Sequence, residues 1–382
     1  MRNFPFCMLK FRWYNVSSRR NMGKRFWFSF VILAVLIVTV FYLRQSNSQP
    51  AVEIRRSIQK VVYRTVIIPT PTPYPFEDLT IPYLRAQTYA SNLGELQQVD
   101  QNSNYTSYLT SYTSDGLKIN GLLTEPTGTP PTDGWPAIVF VHGYIPPTEY
   151  KTLERYIDYV DYLARNGFVV FKIDLRGNGD SEGQPAAAYY SAGYVADTLN
   201  AYAALQAANT ASSSSVLKVN PNKIGLWGHS MAGNIVMRSW ATKPDIPAVV
   251  IWSGAGYTYT DLMKYKLSDP SFQPSPESSN SANFRLRGQL QKLYGKPDLS
   301  KPFWHAMAPV SFLSDLKGAI QVDQAQDDPV VNINYNRDLM KLFDATSVPH
   351  SIYEYPTGGH NITGQSFDQA MQNTVEFYKK YL

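Results

Sequence analysis

Leu226-Trp227-Gly228-His229-Ser230-Met231-Ala232-Gly233 decides the reading of this 382-residue chain. The apolar run Lys223-Ile224-Gly225-Leu226-Trp227 leads into it and reads as a buried strand. Met231 to Ala241 leads out of it and reads as a helix. A serine between the two sits on a sharp strand-to-helix turn, which lifts its hydroxyl clear of a sheet edge. Such a turn needs small residues on both sides so that the backbones can approach. Gly228 is the first; Ala232 stands where glycine is usual, with Gly233 one place later. The string alone is common by chance, and its place after a strand is what gives it weight.

A serine hydroxyl is a weak nucleophile. It needs an adjacent base, and the base needs an orienting carboxylate. On this kind of turn the chain order is serine, acid, histidine. Asp328, in Ala325-Gln326-Asp327-Asp328-Pro329-Val330-Val331, follows an apolar strand. His360, in Tyr355-Pro356-Thr357-Gly358-Gly359-His360-Asn361, follows the next one. Both loops leave the carboxyl ends of strands, where open α/β sheets place their sites. Asp327 reads as a solvated loop charge, and Asp323, closing its strand, is the third acid in rank. The other four histidines read as structural. His142 is a turn residue, His229 should point away from the active site, His305 lies among aromatics, and His350 has no evident acid partner. Two donors must surround the developing oxyanion. The Met231 N–H, at the positive end of its helix, is one. The other should come from the loop after the strand Val139-Phe140-Val141, near Gly143-Tyr144. Asp174-Leu175-Arg176-Gly177-Asn178-Gly179-Asp180-Ser181 reads as structural or pocket rim. No phosphate loop, dinucleotide fingerprint or metal cluster is present, so no cofactor and no metal are expected.

Away from the serine the same alternation continues. Strands are predicted at 137–141, 168–173, 249–252, 320–322 and 351–355. Helices are predicted at 153–166, 193–208, 333–344 and 367–381, and a hairpin turns at Asp115-Gly116. Strands alternating with helices imply a mostly parallel sheet covered on both faces. Residues 254–316 interrupt the alternation and are expected to form an inserted helical cap.

SDGLKINGLL, IVFVHGY, FKIDLRGNGDS, VNPNKIGLWGHSMAG, QDDPVV and YPTGGHNI, taken together, resemble the successive signatures of the α/β-hydrolases. Most similar are the prolyl oligopeptidase catalytic domain and the dienelactone hydrolase-like and acetyl xylan esterase-like enzymes. The resemblance covers 107–382. It implies an eight-stranded doubly wound sheet, with Ser230 as nucleophile, Asp328 as acid and His360 as base. It also implies that the Tyr144 hydroxyl serves the oxyanion, and that the substrate is a small ester or a short peptide. Gln324-Ala325 departs from the His-Gly common before the acid loop. The large propeller that usually precedes the peptidase domain has no counterpart in the roughly 60 residues between positions 44 and 106. A catalytically inactive binding protein of the same fold would lack a triad member, and none is missing.

The N-terminal part has a different composition. Phe26 to Leu43 is an 18-residue run without charge, long enough for most of the ~30 Å hydrocarbon core. Seven cations and no acid precede it. This predicts a transmembrane anchor at 26–43, a cytoplasmic tail at 1–25 and an extracytoplasmic remainder. Cleavage near Ser46-Asn47-Ser48 would instead give a secreted protein, and Met22 is an alternative start. Residues 44–106 are expected to be a stalk or linker, stiffened by Pro69, Pro71, Pro73 and Pro75. Removing the seven tail cations from 35 Lys and Arg leaves 28 against 30 Asp and Glu. The rest of the chain is therefore near neutral, which argues against nucleic acid as a partner. The single cysteine, Cys7, permits neither a disulfide within the chain nor a cysteine zinc site.

Overall fold

The computed structural model describes residues 36–44, 75–186, 188–208, 217–265 and 282–382. The chain divides into two units, Met1–Pro71 and Thr72–Leu382. In the first, only residues 36–44 are described; they are helical, with exposed side chains. No helix among the described residues is long and apolar enough to cross a membrane. Residues 26–35 of the expected anchor, and 45–74 of the expected stalk, lie outside the described residues.

The second unit is built on one sheet. Its strands are β1 (Gln97–Gln101), β2 (Tyr105–Ser114), β3 (Leu117–Pro126), β4 (Trp135–Val141), β5 (Val169–Ile173), β6 (Val219–His229), β7 (Ala248–Trp252), β8 (Ala319–Ala325) and β9 (His350–Tyr355). They lie in the order β1-β2-β3-β5-β4-β6-β7-β8-β9. Pairing is antiparallel from β1 through β3 to β5 and parallel from β5 to β9. The β2–β3 hairpin closes on Asp115 and Gly116, both at positive φ, as the two-residue signal predicts.

Helices cover both faces. They are α1 (Ile81–Ala86), α2 (Ile157–Arg165), α3 (Gly193–Ala207), α4 (Met231–Thr242), α5 (Tyr259–Tyr265), α6 (Ala282–Tyr294), α7 (Pro302–Met307), α8 (Asn334–Phe343) and α9 (Gln365–Tyr381). The period-two alternation of a strand divides its apolar side chains between two cores. Val139, Phe171, Leu226 and Ile251 pack with α3, α4 and α8. Phe140, Val170, Trp227 and Trp252 pack with α2 and α9. Each side chain fully buried this way contributes about 1.5–3 kcal/mol, so the strand ends that carry the site rest on a rigid platform.

Two expectations are corrected. Among the described residues the sheet has nine strands, not eight. The extra one, β1, is a polar edge strand with mostly exposed residues, so it carries none of the apolar alternation that reveals a strand. Residues 75–106, expected to belong to the stalk, fold onto the domain. Thr80 starts α1 by accepting from the Tyr83 amide, with Pro82 in the first turn. Leu79, Ile81 and Leu84 are buried. Arg238 of α4, itself buried, donates to the carbonyls of Leu79, Ala188 and Ser191. Arg85 donates to the Ala241 carbonyl and pairs with Asp315. Between β7 and β8 the described chain is helical. Leu290, Phe303, Trp304 and Met307 there form a cluster with Leu79 and Tyr259.

Candidate active site

Ser230 stands between β6 and α4 with φ 55° and ψ −116°, a sparsely populated backbone region that costs of order 1–3 kcal/mol. The surroundings hold it there. Its amide donates to the Trp252 carbonyl at 2.9 Å, and its carbonyl accepts from Gly233 at 2.9 Å. A Cβ at Gly228 would come within 2.8 Å of the Ala232 carbonyl oxygen. A Cβ at Gly233 would come within 2.8 Å of the Gly254 Cα. The turn therefore requires glycine at 228 and 233, while position 232 accommodates alanine. Met231 is the first residue of α4, so its N–H has no partner within the helix and lies at the helix's positive end.

Asp328 and His360 meet as the sequence predicts. His360 Nδ1 lies 2.9 Å from Asp328 Oδ2. The same oxygen accepts from Gln324 at 2.7 Å, and Oδ1 accepts from the Val330 and Val331 amides at 2.8 and 3.0 Å. Gln324, the departure from the His-Gly pattern, thus orients the acid. Burial works to raise the Asp328 pKa. The hydrogen bond and charge of His360, followed by the two amides, outweigh it and hold the carboxyl below its usual value. Asp328 is therefore ionised beside the His360 ring. Among the described residues the Ser230 hydroxyl makes no hydrogen bond, so the structure joins His360 to Asp328 but not Ser230 to His360. Catalytic contacts of this kind often tighten only with substrate bound.

His142 is buried with its ring nitrogens 2.6 Å from the Gly143 carbonyl and 2.9 Å from the Asp174 carbonyl. Burial lowers its pKa to about 4, in keeping with a structural turn residue. His229 does not point away. Its ring centroid is 4.7 Å from that of His360, and its Nε2 donates to the His360 carbonyl at 2.9 Å. Burial first, and then the nearby His360, lower its pKa to about 3, so the ring is neutral. His350 does have an acid partner, Asp344, at 3.0 Å. Asp327 is no idle charge: it accepts the Gly359 N–H at 2.8 Å and so pins the loop that carries His360. Asp323 is committed to Tyr355 and Gln321. Tyr144 lies exposed on the loop after β4. The Asp174–Ser181 segment helps line a cavity of about 790 Å³ through Gly179 and Asp180, together with Tyr150 and Thr152. Among the described residues no group of three or more His, Cys, Asp or Glu is placed to hold a metal ion.

A strained serine after a central parallel strand, with an Asp–His pair on the loops of the last two strands, defines a class of enzyme. The chain is a serine hydrolase of the α/β-hydrolase kind. Comparison with known proteins agrees. A family model described as "Serine aminopeptidase, S33" matches residues 135–276, and one described as "BAAT / Acyl-CoA thioester hydrolase C terminal" matches residues 214–380. The chain is similar in fold to an acetyl xylan esterase from Paenibacillus sp. R4. The identity is 16% and the TM-score 0.54, with 80% of this chain and 93% of that one covered. It is also similar to a Mycobacterium tuberculosis puromycin-hydrolyzing peptidase at 17% identity and TM-score 0.53, and to Porphyromonas gingivalis dipeptidyl peptidase 4 at 18% and 0.52. Those two matches cover 74% and 73% of this chain but only 40% and 36% of the peptidases. No curated protein matches the chain.

Proposed function

We propose that the chain hydrolyses a small carboxylic ester through an acyl-enzyme formed on Ser230. The carrying observation is the His360–Asp328 pair at 2.9 Å on the loops after β9 and β8, the same end of the sheet as the strained serine. His360 takes the Ser230 proton as the hydroxyl attacks the substrate carbonyl, and Asp328 stabilises the imidazolium through Nδ1. The oxyanion rests on the Met231 N–H and the Tyr144 hydroxyl. The tetrahedral intermediate collapses, His360 passes the proton to the departing alkoxide, and water then releases the acid by the same steps in reverse. The ester reading is supported by the similarity in fold to the acetyl xylan esterase, of which 93% is covered. A short peptide substrate is the second reading, supported by the aminopeptidase family match over residues 135–276.

The test is labelling of the full chain with a fluorophosphonate, followed by turnover of p-nitrophenyl esters and aminoacyl nitroanilides. Ser230→Ala should abolish labelling and lower kcat by about 10⁶-fold. Retained labelling in that variant would reject Ser230. Turnover of the nitroanilides alone would replace the ester by a peptide.

The site works outside the cell, on a domain held by a single-pass anchor at 26–43 with its N-terminus in the cytoplasm. The uncharged run and its seven preceding cations support this topology. Protease added to intact cells should remove the domain and leave a short basic stub; protection of the domain would reverse the orientation.

A further inference from the structure

We propose that Tyr156 and His229 are positioning residues: they form a hydrogen-bonded strap, fixed in direction, between the loop after β4 and the loop that carries His360. The inference rests on the reading of Ser230 as nucleophile and His360 as base.

Three bonds make the strap. The Gly143 N–H donates to Tyr156 Oη at 3.0 Å. Tyr156 Oη lies 2.8 Å from His229 Nδ1. His229 Nε2 lies 2.9 Å from the His360 carbonyl oxygen. Their direction follows from chemistry. A carbonyl oxygen only accepts, so the Nε2 of His229 carries the proton. A neutral ring then accepts at Nδ1, so the Tyr156 hydroxyl gives its proton to His229 and receives from Gly143. Burial keeps the tyrosine protonated and the histidine neutral, so no other pattern satisfies all three bonds.

The backbone is arranged around this strap. Tyr156 caps α2 at φ 60° and ψ 23°, a left-handed conformation unusual for a bulky side chain. At Gly143 a Cβ would come within 2.8 Å of Tyr156 Oη and 3.0 Å of His229 Nδ1. Glycine at 143 is thus explained by the hydroxyl that passes beside it. The Gly143 amide is spent on that hydroxyl and is not a donor to the oxyanion. On the far side, three consecutive residues of the base loop are each held through the backbone. Asp327 accepts the Gly359 N–H, His229 donates to the His360 carbonyl, and Tyr159 donates to the Asn361 carbonyl at 2.7 Å. Because His229 is the covalent neighbour of Ser230, one residue fixes the nucleophile's spacing to the oxyanion loop and to the base together.

The test is kinetic, on the purified full chain with p-nitrophenyl acetate and a fluorophosphonate. Tyr156→Phe keeps the ring and deletes the hydroxyl. A misplacement of about 1 Å costs about 10²-fold, so kcat and the labelling rate should fall together, ~10–100-fold, with KM within about twofold. His229→Gln keeps a donor near the Nε2 position and deletes the acceptor facing Tyr156, so it should match Tyr156→Phe. The double variant should be no worse than either single one, because both remove the same link. His229→Asn keeps the acceptor and loses the donor to His360, and should cost more. Parental kcat in Tyr156→Phe, or losses that multiply in the double variant, would overturn the strap. If Tyr156→Phe does not fold, His229→Gln decides in its place: parental kcat there overturns the strap. Ser230→Ala separates the two readings. If it still labels, the nucleophile assignment fails and takes the strap with it. If it is silent while Tyr156→Phe labels at the parental rate, only the strap fails.

Discussion

The turn at Ser230 and the loop at His360 are positioned by opposite means. The serine is fixed locally. One strained residue lies between a strand and a helix, glycines stand two before and three after it, and its amide and carbonyl are both bonded within the two elements it touches and β7. The histidine is fixed from a distance. Its loop has no regular structure, and its hydrogen bonds run to Asp327 and Asp328 after β8, to His229 at the end of β6 and to Tyr159 in α2. Local strain places an atom with few partners but tolerates little change in residue type. Distributed hydrogen bonds tolerate individual losses, each at a modest cost.

The largest effect expected of a change on the distributed side is at its centre. Asp328→Asn keeps the shape but cannot stabilise the imidazolium or fix its tautomer, and should lower kcat about 10⁴-fold. Steady-state kinetics with p-nitrophenyl acetate measures it, and a loss under tenfold would move the acid elsewhere. Tyr144 tests a residue on an exposed loop. Tyr144→Phe should lower kcat by ~10²–10³, about 3–4 kcal/mol, with KM nearly unchanged, as removal of an oxyanion donor does. A silent variant would leave the second donor to a backbone amide. Asp327→Asn removes one charged acceptor from the loop and should cost about tenfold in kcat and roughly 1–2 kcal/mol in a urea melt. If it were as damaging as Asp328→Asn, the contrast between one essential partner and several supporting ones would collapse.

The smallest effect concerns pH. Asp323 is fully buried, and burial raises its pKa to about 7. A carboxyl whose folded pKa lies above its unfolded value takes up a proton on folding. Its contribution is complete below about pH 4 and is lost as pH rises through about 7. Urea melts at pH 5 and pH 8 should show the parent losing stability, by at most about 1.4 kcal/mol per pH unit, where Asp323→Asn loses less. Equal slopes would show that Asp323 is already ionised when folded.

The same contrast sets what could be read in advance. Ser230 was legible because its constraint lies within eight consecutive residues. Asp328 and His360 were legible because chain order and strand ends place them. The partners that hold them were not. Tyr156, Tyr159, Gln324 and Asp327 are ordinary loop, helix and strand residues until the fold brings them in, and His229 reads as a structural residue beside the serine. The segment from 75 to 106 was hidden for another reason. Its Thr80-Ile81-Pro82 start signal follows a proline-rich run that biases the reading toward an extended spacer, and β1 is polar except for Val99. The Gly143-Tyr156 approach was unreadable because glycine after a strand has many explanations.

Arg238 gives the first folded segment an unusual timetable. Leu79 and its neighbours leave the ribosome early, yet the guanidinium that caps the Leu79 carbonyl lies 159 residues later, and the cluster completed by Met307 later still. At ~5–20 residues per second, synthesis leaves the apolar side of α1 without its docking site for on the order of ten to fifty seconds. The earliest part of the domain therefore waits for partners made long after it. That leaves the nascent chain, more than the finished enzyme, as the stage most in need of protection from aggregation.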